Sequence, residues 1–221
     1  MSERYLIPDV KELAANCVSI GSNLFCFRVE ESIKRSRFIA SLAPAASGEA
    51  ARLFVNAVKE EFPDATHNCW AYAAGPPGDT AKIGFSDDGE PQGTAGRPML
   101  HALLHSKVGE VALVITRYFG GVKLGAGGLV RAYSGVSSRA LLDLPVQEKI
   151  IPARGVVLLD YSHITQAKRL FAKYEASLEE EIFAEQARFV LCLPVEFWLP
   201  LVADLTELTA GQAKCSKLPV V

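Results

Sequence analysis

The chain has 221 residues, of which 49% are hydrophobic, and a formal net charge of −2. That length holds one large or two small domains with a real core. The near-neutral balance excludes a protein that binds nucleic acid by bulk basicity, so any anion recognition must come from a local patch.

In chain order, residues 1–16 are mixed and read as a short lead-in. From Ser22 to Glu30, Leu24, Cys26 and Arg28 alternate with Phe25, Phe27 and Val29, the period of a strand. A polar turn, Glu31 to Ser36, leads to a second strand over Arg37–Leu42, so the pair reads as a hairpin. Ser47 is placed to cap a helix over 48–62, with Ala50, Leu53, Phe54, Ala57, Val58 and Phe62 at helical spacing. His67–Ala74 and Ala81–Phe85 are strands around the turn Gly75-Pro76-Pro77-Gly78-Asp79. After the acidic turn Ser86-Asp87-Asp88-Gly89-Glu90-Pro91, the pattern predicts a helix over Ala95–Ser106, with Pro98 in its first turn. Val111–Tyr118 is almost uniformly apolar, as in a strand buried on both faces. A glycine-rich turn then enters a helix over Leu129–Leu142. Two prolines, Pro145 and Pro152, bracket a short polar stretch that reads as a linker. Beyond it the order is βαββαβ, with strands over 155–161, 176–184, 187–194 and 214–218. Ser162 is placed to cap the first helix, and Pro200 to bend the second. This is the split βαβ, ferredoxin-like order.

Five scattered cysteines, Cys17, Cys26, Cys69, Cys192 and Cys215, form no C-x-x-C. They read as buried free thiols of a reducing compartment rather than as a zinc or redox motif. No apolar run is long enough for a membrane span, and Met1-Ser2-Glu3-Arg4-Tyr5 does not begin a signal peptide. The expected location is the cytoplasm, without membrane association.

The chemistry concentrates between Gly84 and Arg139. No Asp or Glu occurs between Val111 and Leu142, yet Arg117, Lys123, Arg131 and Arg139 do. A buried strand, a glycine turn and a helix start without negative charge suit an anion, because free helix N–H groups and glycine-exposed backbone point the same way. The candidate anion site is Arg97, Arg117, Lys123, Gly125, Gly127, Gly128 and Arg131. The same glycines would also serve tight turns and close helix packing. Asp87, Asp88 and Glu90 could hold magnesium, but a turn whose carboxylates cap the next helix explains them better. His101 and His105 share a helix face without the Glu of H-E-x-x-H, so a surface or groove pair is favoured over a metal site. His67 and Cys69 share a strand face, and a packed core thiol is favoured there over a nucleophile–base pair. The aromatics Trp70, Tyr72, Tyr118, Phe119 and Tyr133 lie among the cations and suit either base stacking or a core edge. No catalytic residue, metal or cofactor is assigned.

Two runs carry a resemblance. Gly84 to Pro98 and Thr116 to Tyr133 resemble signatures of the YigZ/IMPACT family, and Ser36-Arg37-Phe38-Ile39 and His67-Asn68-Cys69-Trp70-Ala71-Tyr72 also fit. The resemblance covers nearly the whole chain and points to the bacterial two-domain member. It implies an α+β protein: an N-terminal ribosomal protein S5 domain 2-like domain over 1–147, then a ferredoxin-like domain over 152–221 similar to domain V of elongation factor G. Eukaryotic relatives regulate translation initiation by competing for the activator of an initiation-factor kinase, through a domain this chain lacks. The expectation is a regulator of translation that binds RNA or the ribosome through phosphate contacts with little base specificity, with a protein partner in translation control also in view. The competing readings are a small-molecule phosphotransferase, with Asp87 or Asp88 on magnesium, and a protein-interaction module. Against the phosphotransferase, the second domain is too small to enclose an acceptor.

Overall fold

The computed structural model describes residues 4–16, 18–20 and 24–219. The chain divides into two compact units, the first ending at Lys149 and the second beginning at Ile150. Both are α+β.

The first unit begins with β1 (Arg4–Pro8), α1 (Val10–Asn16) and β2 (Val18–Ile20). Asp9 caps α1, its carboxylate accepting from the N–H of Lys11 at 2.9 Å. The segment that reads as a short lead-in is thus a strand and a helix over most of its described residues. The strand expected from Ser22 begins its described part at Leu24, since Ser22 lies outside the described residues. β3 (Leu24–Ile33) and β4 (Ser36–Pro44) form the expected hairpin. Its turn is only Lys34-Arg35, both at positive φ (46° and 67°), as a type I′ turn requires. α2 (Gly48–Glu61) follows, with the Ser47 hydroxyl accepting from Ala50 N–H at 3.1 Å. Next come β5 (His67–Ala73), β6 (Ile83–Ser86), α3 (Gly96–His105), β7 (Val111–Tyr118) and α4 (Ala126–Asp143).

Six strands form one antiparallel sheet in the order β2-β3-β4-β7-β5-β6. β7 lies between β4 and β5, and every residue from Val111 to Arg117 is buried. Its two faces meet different helices. Ala112 and Val114 pack with Ala51, Phe54, Val55 and Val58 of α2. Leu113 and Ile115 pack with Met99 and Leu103 of α3 and with Tyr133 and Val136 of α4. Alternation along one strand thus serves two cores.

The segment expected to be a linker is mostly a strand, β8 (Val146–Ile150), paired with β1. Glu110 joins this ribbon to the unit by accepting from the Tyr5 hydroxyl at 2.7 Å and from Lys149 Nζ at 2.6 Å.

The second unit contains β9 (Pro152–Leu159), α5 (Ile164–Lys173), β10 (Ser177–Phe183), β11 (Ala187–Pro194), α6 (Trp198–Leu208) and β12 (Lys214–Leu218). Its sheet order is β10-β11-β9-β12, all antiparallel, which is the ferredoxin-like arrangement. Val157, Phe189 and Leu191 face Phe171 of α5 and Leu201 and Leu205 of α6. Two local expectations fail here. Ser162 lies in a 3-10 turn, and α5 starts after it with no side-chain cap. Pro200 falls in the first turn of α6, where its missing N–H breaks no helical bond.

Candidate anion-binding site

The acidic turn between β6 and α3 is held from inside. Asp87 accepts from the backbone N–H groups of Ala95 (3.0 Å), Gly96 (2.8 Å) and Gly93 (2.8 Å), and so caps α3 from a distance. Asp88, at φ 43°, accepts from Asn68 N–H at 2.7 Å and from Lys59 Nζ at 2.6 Å. Glu90 is buried, and its Oε1 accepts from Arg117 Nη1 at 2.5 Å and from the Tyr133 hydroxyl at 2.9 Å. Of the three, Asp87 takes the capping role expected for the turn, whereas Glu90 is buried in an ion pair rather than solvated. The turn's carboxylates are oriented toward protein donors, and among the described residues no group of three His, Cys, Asp or Glu side chains is arranged to hold a metal ion.

Around this hub the candidate nucleophile is packed into the core. Cys69 is fully buried, with its sulfur 2.9 Å from the Asp87 carbonyl and 3.4 Å from the Tyr133 hydroxyl. Burial, with the carboxylates nearby, pushes its thiol up to about 12. Burial likewise holds the Tyr133 phenol neutral far above the ordinary phenol range. Cys26 is also buried, Cys192 and Cys215 are half-buried, and no disulfide joins the four described cysteines; Cys17 lies outside the described residues. His101 and His105 are exposed and stack at 4.0 Å, with His105 Nδ1 donating to the His101 carbonyl.

Arg117 does not belong with the free cations. It is 5% exposed, held by Glu90 and by Ser36 Oγ (3.3 Å), and its guanidinium lies over the rings of Phe38 and Phe119. Its place at the end of β7 points it inward at the hub. Arg97 is exposed in the first turn of α3 and does not line the cavity described next.

The glycine turn differs from the hub. α4 begins at Ala126, earlier than expected, so Gly127 and Gly128 lie in its first turn and Gly125 is its cap at φ 73°. No side chain caps it, and its first turn holds no acid. Leu129 N–H is the first to close on a helical carbonyl, that of Gly125 at 2.9 Å. The N–H groups of Ala126, Gly127 and Gly128 therefore have no acceptor among the described residues. Lys123 and Arg131 are exposed. A cavity of about 240 Å³ beside this turn is lined by Ile33, Lys34, Leu124, Gly128, Arg131 and Ala132.

Lys34 and Arg35 are absent from the sequence-based site, yet the fold delivers them to it. Gly120 makes this possible: a Cβ there would stand 2.0 Å from the Arg35 carbonyl carbon, so only glycine lets the two turns meet. Lys34 and Arg35 both hold positive φ where Asn-Gly is ordinarily preferred, and both are exposed. Among the described residues none of Lys34, Arg35, Lys123 and Arg131 forms an ion pair. The signal available in the sequence was two cations alone between two strands.

The Impact N-terminal domain model matches residues 34–141, which include every cation of this site, and a domain of unknown function, DUF1949, matches residues 157–212. "IMPACT family member YigZ" of Escherichia coli (strain K12) is 40% identical over 183 residues, 83% of this chain and 90% of that one. The chain belongs to the IMPACT family. Another member of the family, "IMPACT family member in pol 5'region" of Thermus thermophilus, is 41% identical over 181 residues, covering 81% of this chain and 97% of its own. "Protein IMPACT" of Xenopus laevis is 36% identical over 97 residues, 42% of this chain and 30% of that protein. A solved structure described as "Crystal structure of an hypothetical protein" covers 100% of both chains at 35% identity, with a TM-score of 0.63. Among the described residues of this IMPACT-family chain, no helix is long and apolar enough to cross a membrane.

Proposed function

We propose that this IMPACT-family protein is an RNA- or ribosome-associated regulator of translation that holds phosphate at the start of α4. The observation that carries the reading is the coincidence of three open N–H groups with unpaired cations from two separate turns. Two of those cations, Lys34 and Arg35, occupy backbone positions that disfavour them, and such strain concentrates at functional sites. Lys34, Lys123 and Arg131 supply charge, and the helix N-terminus supplies directed donors. Phosphate contacts of this kind position a partner without reading its sequence. The role in translation follows the likeness to the eukaryotic relatives, and the free thiols support a reducing, cytoplasmic setting.

The test is binding of labelled single-stranded RNA, and cosedimentation with ribosomes, over a salt series. Affinity falls steeply with salt, by a log–log slope of about 0.7 per phosphate contacted. Lys123→Ala weakens all sequences alike and reduces that slope by about one contact. The reading fails if a folded Lys34/Lys123/Arg131 triple-alanine variant binds RNA and ribosomes as the parent does, or if the parent binds neither at low salt.

One observation favours the protein-interaction reading. An apolar groove of about 580 Å³ runs between α3 and α4, lined by Pro98, Ala102, Leu141 and Leu142, with Leu142 79% exposed. Leu142→Glu separates the two readings, since it abolishes a partner seated in this groove and leaves RNA binding intact.

A further inference from the structure

Five aromatic residues stand among the cations of the signature segments, and the structure sorts them. Tyr133 and Tyr72 are buried. Trp70 is half-buried and stacked on Tyr72, with ring centroids 6.0 Å apart. The Tyr118 hydroxyl donates to Asp64 at 2.9 Å, and the Arg37 guanidinium covers its ring at 5.7 Å. Phe119 differs from all of them: it is 46% exposed and has no ring partner among the described residues.

Its inner face is occupied. The Arg117 guanidinium stands 5.7 Å from the Phe119 centroid and 5.5 Å from that of Phe38, so the three form a stack running outward from the core. Arg117 cannot drift, because Glu90 and Ser36 hold it. The backbone on both sides is fixed too. Phe119 N–H donates to Thr66 Oγ1 at 3.0 Å, Gly120 N–H donates to Ser36 Oγ at 3.3 Å, and Gly120 abuts the backbone of Arg35. A cation-backed ring on a fixed backbone therefore presents its outer face next to the two turns that carry Lys34, Arg35 and Lys123.

We infer that Phe119 is a stacking platform for an unpaired nucleobase, so that the nucleic acid taken by this site is single-stranded. The inference rests on the phosphate-binding reading above and specifies its ligand. A base on Phe119 extends the Phe38–Arg117–Phe119 stack by one member, and every base has a π-face, so the contact tolerates any sequence. Little backbone freedom is lost on binding, because the peptide N–H groups of Phe119 and Gly120 are already hydrogen-bonded. A duplex keeps its bases stacked on each other and gains nothing from the platform.

The test compares single-stranded oligo(U) and oligo(A), a single-stranded DNA oligomer and an RNA duplex of equal length, at low salt. Phe119→Ala lowers affinity for every single strand about tenfold, leaves the duplex unchanged and keeps the melting temperature. Phe119→Trp restores single-strand binding. Phe119→Leu, which keeps an apolar side chain but has no π-face, does not. The inference is overturned if Phe119→Ala binds single strands as the parent does, if Leu serves as well as Phe, or if the duplex loses as much. In those cases the phosphate reading stands so long as the Lys34/Lys123/Arg131 variant still loses binding. If the parent binds no nucleic acid, both readings fall together.

Discussion

The acidic turn and the glycine turn belong to the same family signature and use charge in opposite ways. In the acidic turn Asp87, Asp88 and Glu90 all face inward, onto backbone N–H groups, Lys59, Arg117 and Tyr133. Around the glycine turn Lys34, Lys123 and Arg131 meet no carboxylate among the described residues, and the helix donors behind them are unused. The difference shows that a charge in a motif is not a site until the fold has declined to pair it. Arg117 and Lys123 look alike in the sequence, six positions apart by their numbers. One is a strut of the core, and the other is exposed and outside every ion pair of the described residues.

The largest test of this contrast is to break the strut. Removing one partner of a buried ion pair strands the other charge, at about 3–5 kcal/mol. Arg117→Ala and Glu90→Ala are each expected to lose stability on that scale in urea denaturation. The paired change Arg117→Met with Glu90→Leu recovers most of it, since it leaves no buried charge. A loss no larger than that of an exposed pair, about 0–1 kcal/mol, would place Arg117 with the binding cations after all.

A middle-sized effect sharpens the role of Asp87. Asp87→Ala leaves three backbone N–H groups at the start of α3 without their acceptor, and stability falls by about 2 kcal/mol. Amide exchange should quicken first at Gly93, Ala95 and Gly96, and uniform exchange across the unit would refute the capping role.

The smallest effect runs in the other direction. Replacing Lys34-Arg35 by Asn-Gly gives the hairpin its preferred turn, and stability rises by about 1 kcal/mol. Anion binding weakens in the same variant. A turn that gains no stability would mean that these two residues sit there at ease, and would remove the strain argument for the site.

The sequence made parts of this legible because they are local. The apolar run Val111–Tyr118 announces a strand covered on both faces, and Ser47 announces the start of α2. β8 is hidden in the sequence because its partner, β1, lies at the other end of the unit, and two prolines around a polar stretch look like a connector. The start of α4 lies earlier than the pattern predicts because glycine disfavours helix, and three of the four residues from Gly125 to Gly128 are glycine. The burial of Arg117 could not be read, since it depends on Glu90, 27 positions away, and on Ser36, 81 positions away. Lys34 and Arg35 were passed over because nothing in a polar turn tells that a glycine far along the chain will dock against it.

The position of β7 also constrains how the protein is made. β4 and β5 emerge from the ribosome first, but they are not neighbours in the finished sheet, because β7 is inserted between them. They stand two strand spacings apart, about 10 Å, with a gap that only a later segment can fill. Until residue 118 has been released, each presents an open edge of the kind that invites pairing with another chain. The sheet cannot grow strand by strand in the order of synthesis, because its most apolar member follows both of the strands it separates. Arg117 arrives at the end of that same strand and finds Glu90 and Ser36 already made, so the buried ion pair acts as a latch that only the completed sheet can shut.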